Sequence, residues 1–142
     1  MMKFYNPKNK EKIGIWDNQA ILDYKRLRIQ LEYKTEPPHG DFIYSVKLTF
    51  DKGKINIFPF WIYGRSILFC NNYVVIEGMK MGSYNKLRSM IIDIDTKQYT
   101  ILDDWYNEYV IENELLVLLS NFHNRKRVIE RENEFIWLPI FL

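Results

Sequence analysis

The run Leu27-Arg28-Ile29-Gln30-Leu31-Glu32-Tyr33 alternates apolar and polar side chains without a break. Successive side chains of an extended chain point to opposite faces, so this alternation predicts a strand with one dry and one wet face, as in an antiparallel sheet. Phe42-Ile43-Tyr44-Ser45-Val46-Lys47-Leu48-Thr49-Phe50 repeats the pattern. It is followed by Asp51-Lys52-Gly53-Lys54 and then Ile55-Asn56-Ile57-Phe58, so residues 42–58 read as a hairpin. Between these strands Thr35-Glu36-Pro37-Pro38-His39-Gly40-Asp41 is a loop, because its two prolines and glycine oppose both ladder and helix. Residues 59–66 carry aromatics on both parities and are either buried on two sides or an exposed aromatic surface.

Working outward, residues 67–69, 73–77, 89–95 and 99–102 form four short candidate strands, with turns at Asn71-Asn72 and Thr96-Lys97-Gln98 and a loop over 78–84. Looser candidates follow at 115–119, 127–130 and 135–140. Residues 104–120 are also compatible with a helix, since a Leu-rich run is ambiguous by periodicity. No Pro/Gly/Ser cluster divides the chain, so residues 1–142 read as a single domain, mainly β, with antiparallel sheets and little helix. A domain of this length buries roughly 68–70% of its unfolded surface and needs no covalent staple.

The lone cysteine, Cys70, lies in the apolar run Ile67-Leu68-Phe69-Cys70, where a thiol behaves as a small hydrophobe; this fits a reducing compartment. Met1-Met2-Lys3-Phe4-Tyr5-Asn6-Pro7-Lys8-Asn9-Lys10 has no secretory apolar stretch, and the longest apolar runs fall short of the ~18–20 residues of a spanning helix. A cytoplasmic protein without a membrane span is expected. Twenty Lys plus Arg against 18 Asp plus Glu leave a net charge of +2. The charge is unevenly spread. Residues 1–34 hold eight basic groups against four acids, whereas residues 93–114 hold seven acids against Lys97 alone. One basic and one denser acidic region follow.

Catalytic and cofactor motifs are missing. Asp93 and Asp95 would share a strand face opposite Ile92 and Ile94, but a hard cation wants oxygens from more than one segment, and no second acidic element has a telling spacing. His39 and His123 read as solvent-facing loop residues rather than acid-base groups, and Cys70 is too apolar in setting to be a nucleophile. Gly78-Met79-Lys80-Met81-Gly82-Ser83 lacks phosphate-loop spacing and joins two strands, with no helix N-terminus to receive a phosphate. Arg125-Lys126-Arg127 and the N-terminal lysines suggest nucleic acid, but the dense acidic region makes a poor polyanion binder.

The segment Asp103-Asp104-Trp105-Tyr106-Asn107-Glu108-Tyr109-Val110-Ile111-Glu112-Asn113-Glu114 mixes carboxylates with aromatics. Aromatic anchors supply buried hot spots and charge speeds encounter with a basic partner. The candidate partner-binding residues are therefore Asp93, Asp95, Asp103, Asp104, Trp105, Tyr106, Glu108, Tyr109, Glu112 and Glu114. The competing reading is a solvated loop whose aromatics cap the core.

Residues 66–102 resemble a β-propeller blade, most clearly in Ile91-Ile92-Asp93-Ile94-Asp95-Thr96-Lys97-Gln98-Tyr99-Thr100-Ile101. At ~40–45 residues per blade the chain holds about three, which implies an open stack of blade-like hairpins rather than a closed ring. Such a stack is similar to some immunity proteins of bacterial toxin systems, contact-dependent growth inhibition included, which neutralise a cognate toxin by covering its active site. Those proteins share no motif, so the resemblance carries over no residue. It implies a non-enzymatic protein that binds a cognate toxin, with no cofactor, metal or small-molecule substrate, and the acidic segment would suit a basic one such as a nuclease domain. The alternatives are an assembly protein pairing through an exposed sheet edge and a weak nucleic-acid-binding module.

Overall fold

The computed structural model describes residues 2–36, 40–81, 86–130 and 135–140. Among them the chain forms β1 (Met2–Tyr5), β2 (Glu11–Ile13), β3 (Gln19–Tyr24), β4 (Leu27–Thr35), β5 (Ile43–Phe50), β6 (Ile55–Ile57), β7 (Phe60–Cys70), β8 (Tyr73–Lys80), β9 (Arg88–Asp93), β10 (Gln98–Ile101), β11 (Glu108–Glu112), β12 (Leu115–Ser120), β13 (Arg125–Val128) and β14 (Leu138–Pro139), and no helix. Among the described residues no helix is therefore long and apolar enough to cross a membrane.

Eleven strands form one open sheet in the order β1-β3-β4-β5-β7-β8-β9-β10-β14, with β2 beside β7 and β6 beside β5; β11-β12-β13 form a second sheet. Pairing is antiparallel throughout except for β1 on β3. The alternation of β4 holds: Leu27, Ile29 and Leu31 are buried and Arg28 is exposed. These residues and Tyr44, Val46, Leu48 and Phe50 of β5 meet Ile67, Phe69, Val74, Ile76, Met90 and Ile92 in one core, so the sheet curls until its two wings face each other. The Arg26 guanidinium donates to the Ile94 carbonyl at 3.2 Å, and Tyr99 packs edge-on against Phe58, tying the wings at one end.

Strands β7, β8 and β9 are apolar on both faces because their other face is buried too. Leu68, Val75 and Ile91 meet Leu116 and Leu118 of the second sheet and Ile129 just after it in a second core. Residues 104–120 thus carry β11 and β12 and no helix. The blade-like meander β7-β8-β9-β10 is present, joined edge to edge with β5 through Ile43↔Tyr63 and Tyr44↔Ile62.

Some expectations shift. Asp95 leaves β9 for the turn, because the Asp93 side chain accepts the amides of Asp95 (3.0 Å) and Thr96 (3.3 Å) and ends the strand; the two carboxylates share no strand face. Strand β8 runs on to Lys80, through the start of the expected loop. Of 135–140 only Leu138–Pro139 pairs, and β13 starts two residues earlier than expected. Strands β1 to β3, which lack clean alternation, are not among the expected strands, and neither is β11, which lies in the acidic segment. His39, Gly82 and Ser83 lie outside the described residues. Residues 59–66 are half-buried or buried on both faces apart from Pro59, because β7 kinks there: its first half pairs with β5 and its second with β2.

Candidate protein-binding site

Isolated charges in doubly buried strands must find each other, and Arg65 of β7 and Glu77 of β8 do. Arg65 Nε donates to Glu77 Oε1 at 2.8 Å, and Nη1 donates to Asp41 Oδ2 at 2.8 Å. Glu77 is only 6% exposed, and its second oxygen accepts the indole N–H of Trp105. The guanidinium carbon sits 4.3 Å from the Tyr63 ring centroid and 5.2 Å from that of Trp105, a cation held between two aromatic faces. Burial works against its charge, and the Glu77 and Asp41 carboxylates outweigh it, holding the Arg65 pKa above its ordinary value.

The segment after β10 folds over this node. Asp104 Oδ1 accepts the Trp105 amide (2.7 Å), the Asp104 carbonyl accepts the Ser89 amide (3.0 Å), and Ser89 Oγ accepts the Tyr106 amide (2.8 Å). Asp104 Oδ2 lies 2.6 Å from His123 Nδ1. Asp103 accepts the Tyr106 hydroxyl at 2.7 Å and Arg125 Nη1 at 2.8 Å. Asn107 Oδ1 accepts the Asn121 amide at 3.0 Å and fixes the β12–β13 turn beside the start of β11. On that turn Phe122 stacks on Trp105 with centroids 5.2 Å apart and planes 19° off parallel, yet remains 67% exposed.

Burial alone would raise the Asp103 carboxyl, but the Tyr106 hydroxyl and the Arg127 and Arg125 charges outweigh it and hold its pKa low. Asp104 is likewise held low against burial, by the Trp105 amide, His123 and Arg125. A carboxyl more acidic when folded stabilises the fold above its unfolded pKa, about 3.9, and loses that contribution as pH falls through the lower folded value. Acid titration of unfolding free energy should therefore show a loss below about pH 4 that is smaller in Asp103→Asn. An identical acid limb in the variant would remove Asp103 from the account.

The expected binding residues thus fall into three groups. Asp103, Asp104, Trp105 and Tyr106 build the node, and Tyr106 is buried. Glu108, Tyr109 and Glu112 lie on β11 and Glu114 on the turn after it. Glu112 is 3.5 Å from Lys126, and Tyr109 turns inward to reach the Lys10 carbonyl at 3.4 Å. Glu108 and Glu114 are exposed and have no ion pair among the described residues. Asp93 and Asp95 stand apart, four residues or about 13 Å along β9 from Ser89, with Asp95 accepting from Asn72 at 2.7 Å. Arg65, Glu77, Phe122 and Arg125 were not on the expected list; the legible signal was an arginine and a glutamate inside otherwise apolar runs.

Chemically the surface offers aromatic area, cations tied to carboxylates, and free carboxylates at its rim. The cavity behind it, lined by Lys12, Glu77, Ser89 and Tyr106, holds about 20 Å³, room for one water rather than an organic ligand. Among the described residues no group of three His, Cys, Asp or Glu is placed to hold a metal ion. In comparisons with known proteins, no family model matches the chain, and no curated protein or solved structure matches it significantly.

Proposed function

We propose that this chain is a protein-binding module that neutralises a basic partner, in the manner of a toxin immunity protein, by covering the partner's functional surface. The observation that carries the reading is the exposed Phe122 stacked on a Trp105 that is itself pinned by Glu77. An aromatic presented on a rigid base loses little freedom on binding, and hot spots concentrate in such Trp, Tyr and Arg settings. Glu108 and Glu114 supply free negative charge that would steer a basic partner. Asp103 and Asp104 serve the surface indirectly, by fixing its shape.

The test is capture with the tagged chain from its own cells, followed by assay of the captured protein with and without the chain. A basic protein held one to one, whose activity the chain suppresses, supports the reading. Phe122→Ala should then weaken binding by about 30-fold, the hot-spot threshold of about 2 kcal/mol, without shifting the unfolding midpoint. Recovery of the chain alone with a concentration-dependent mass, or of nucleic acid released by salt, would overturn it.

A further inference from the structure

We propose that the partner, on the protein-binding reading above, contributes an extended basic segment that adds as a further strand to the free edge of β11. Among the described residues the second sheet ends on this strand, which pairs only with β12. The Ile129 amide donates to the directly opposite Leu116 carbonyl at 2.9 Å, and this fixes the parity of the ladder. Backbone groups of Leu116 and Leu118 point to β13, so those of Leu115, Val117 and Leu119 point to β11. Through the register Glu108↔Leu119, Val110↔Val117 and Glu112↔Leu115, the backbone groups of Glu108, Val110 and Glu112 point back at β12. The N–H and C=O groups of Tyr109 and Ile111 are left facing the open side, with no hydrogen bond among the described residues. An open row of this kind is a template for another strand.

Side chains then decide which strand. Tyr109 and Ile111 turn into the second core, while Glu108, Val110 and Glu112 face out. An antiparallel newcomer bonded to Tyr109 and Ile111 would meet Glu108, Val110 and Glu112 at non-hydrogen-bonded positions, where side chains approach most closely. Lysine or arginine opposite each glutamate and an apolar residue opposite Val110 satisfy all three. A second copy of β11 would set Glu108 against Glu112 on both sides of Val110, and like charges directly opposite destabilise. The glutamates therefore disfavour self-pairing in this register and favour a basic strand. Other edges serve less well: β14 is two residues with Pro139, β2 and β6 are three each, β1 is four with Lys3, and β13 carries Arg125, Lys126 and Arg127; β11, at five, is the longest of these.

The probe is a blocked peptide, Thr-Lys-Thr-Val-Thr-Lys-Thr, with a glutamate-for-lysine control. Amide exchange read by NMR on the intact chain should slow by about tenfold at Tyr109 and Ile111 with the lysine peptide at saturation, and not with the control. Ile111→Pro deletes an outward N–H while sparing the β12 ladder, and should abolish the response. Should that variant fold poorly, Glu108→Lys with Glu112→Lys should weaken the lysine peptide by roughly three- to tenfold and admit the control. Unchanged exchange at Tyr109 and Ile111, or an equal response to both peptides, overturns the proposal. A captured partner that is lost with Phe122→Ala but binds Ile111→Pro as tightly as wild type would sink the added strand and leave the binding module standing.

Discussion

Replacing Gly64 by alanine should destabilise the fold by about 3 kcal/mol, read as a shift of the urea midpoint at constant slope. A Cβ at Gly64 would lie 2.4 Å from Cε1 of Tyr44 and 2.7 Å from the Ile15 carbonyl oxygen. Neither neighbour can yield. Tyr44 is fully buried and its hydroxyl donates to the Asp17 carbonyl at 2.6 Å, while the Ile15 amide donates to the Gly64 carbonyl at 2.7 Å. The methyl group would therefore push apart the segments that meet at the kink of β7. Gly78→Ala provides the comparison: its Cβ would meet Met90 Sδ and Cε at 2.6 Å, the far end of a flexible side chain. A cost of about 1 kcal/mol or less is expected there. If both substitutions cost the same, the rigidity of Tyr44 and Ile15 is not what makes Gly64 necessary.

This kink also marks where the sequence stops being legible. Period two located β4, β5 and the meander from β7 to β10, because each of these strands has a face whose burial differs from its neighbour's or a turn rich in Asn, Asp or Gly. It missed β1, β2, β3 and β11. The three-residue β2 gives no period to count, and β3 buries Ala20, Ile21 and Leu22 in succession. The aromatics of 59–66 were ambiguous because one strand changes partners midway, which is a tertiary fact. Charge was read with similar partial success. The acidic stretch from Asp103 is visible in the sequence, but counting carboxylates cannot reveal that Arg125, Arg127 and His123 arrive from the next hairpin and that Asp103 and Asp104 are consumed as struts. What the sequence left visible and unused was the pair of misplaced charges at Arg65 and Glu77.

That pair yields the second large expectation. Arg65→Ala should cost about 3–5 kcal/mol, because it leaves Glu77 buried without its cation. The double variant Arg65→Met with Glu77→Leu should recover most of that loss and lie within about 2 kcal/mol of wild type, since well-packed apolar replacements of a buried ion pair are often neutral or better and what remains is the loss of one partner each at Asp41 and the Trp105 N–H. Stability alone would then give no reason for the charges. On the proposed binding reading, presentation of the aromatic surface would. In the double variant the Trp105 indole N–H loses its acceptor, and its ring loses the guanidinium that holds it parallel to Phe122. A folded protein with a loosened Trp105–Phe122 stack should bind its partner about tenfold more weakly, as ordering the stack now opposes association. Unfolding curves and partner titrations on the same three proteins separate the effects. Binding that survives intact in the stable double variant would show that the node serves the fold and not the site; binding that falls while stability holds would place the role of Arg65 and Glu77 in presenting the aromatic surface.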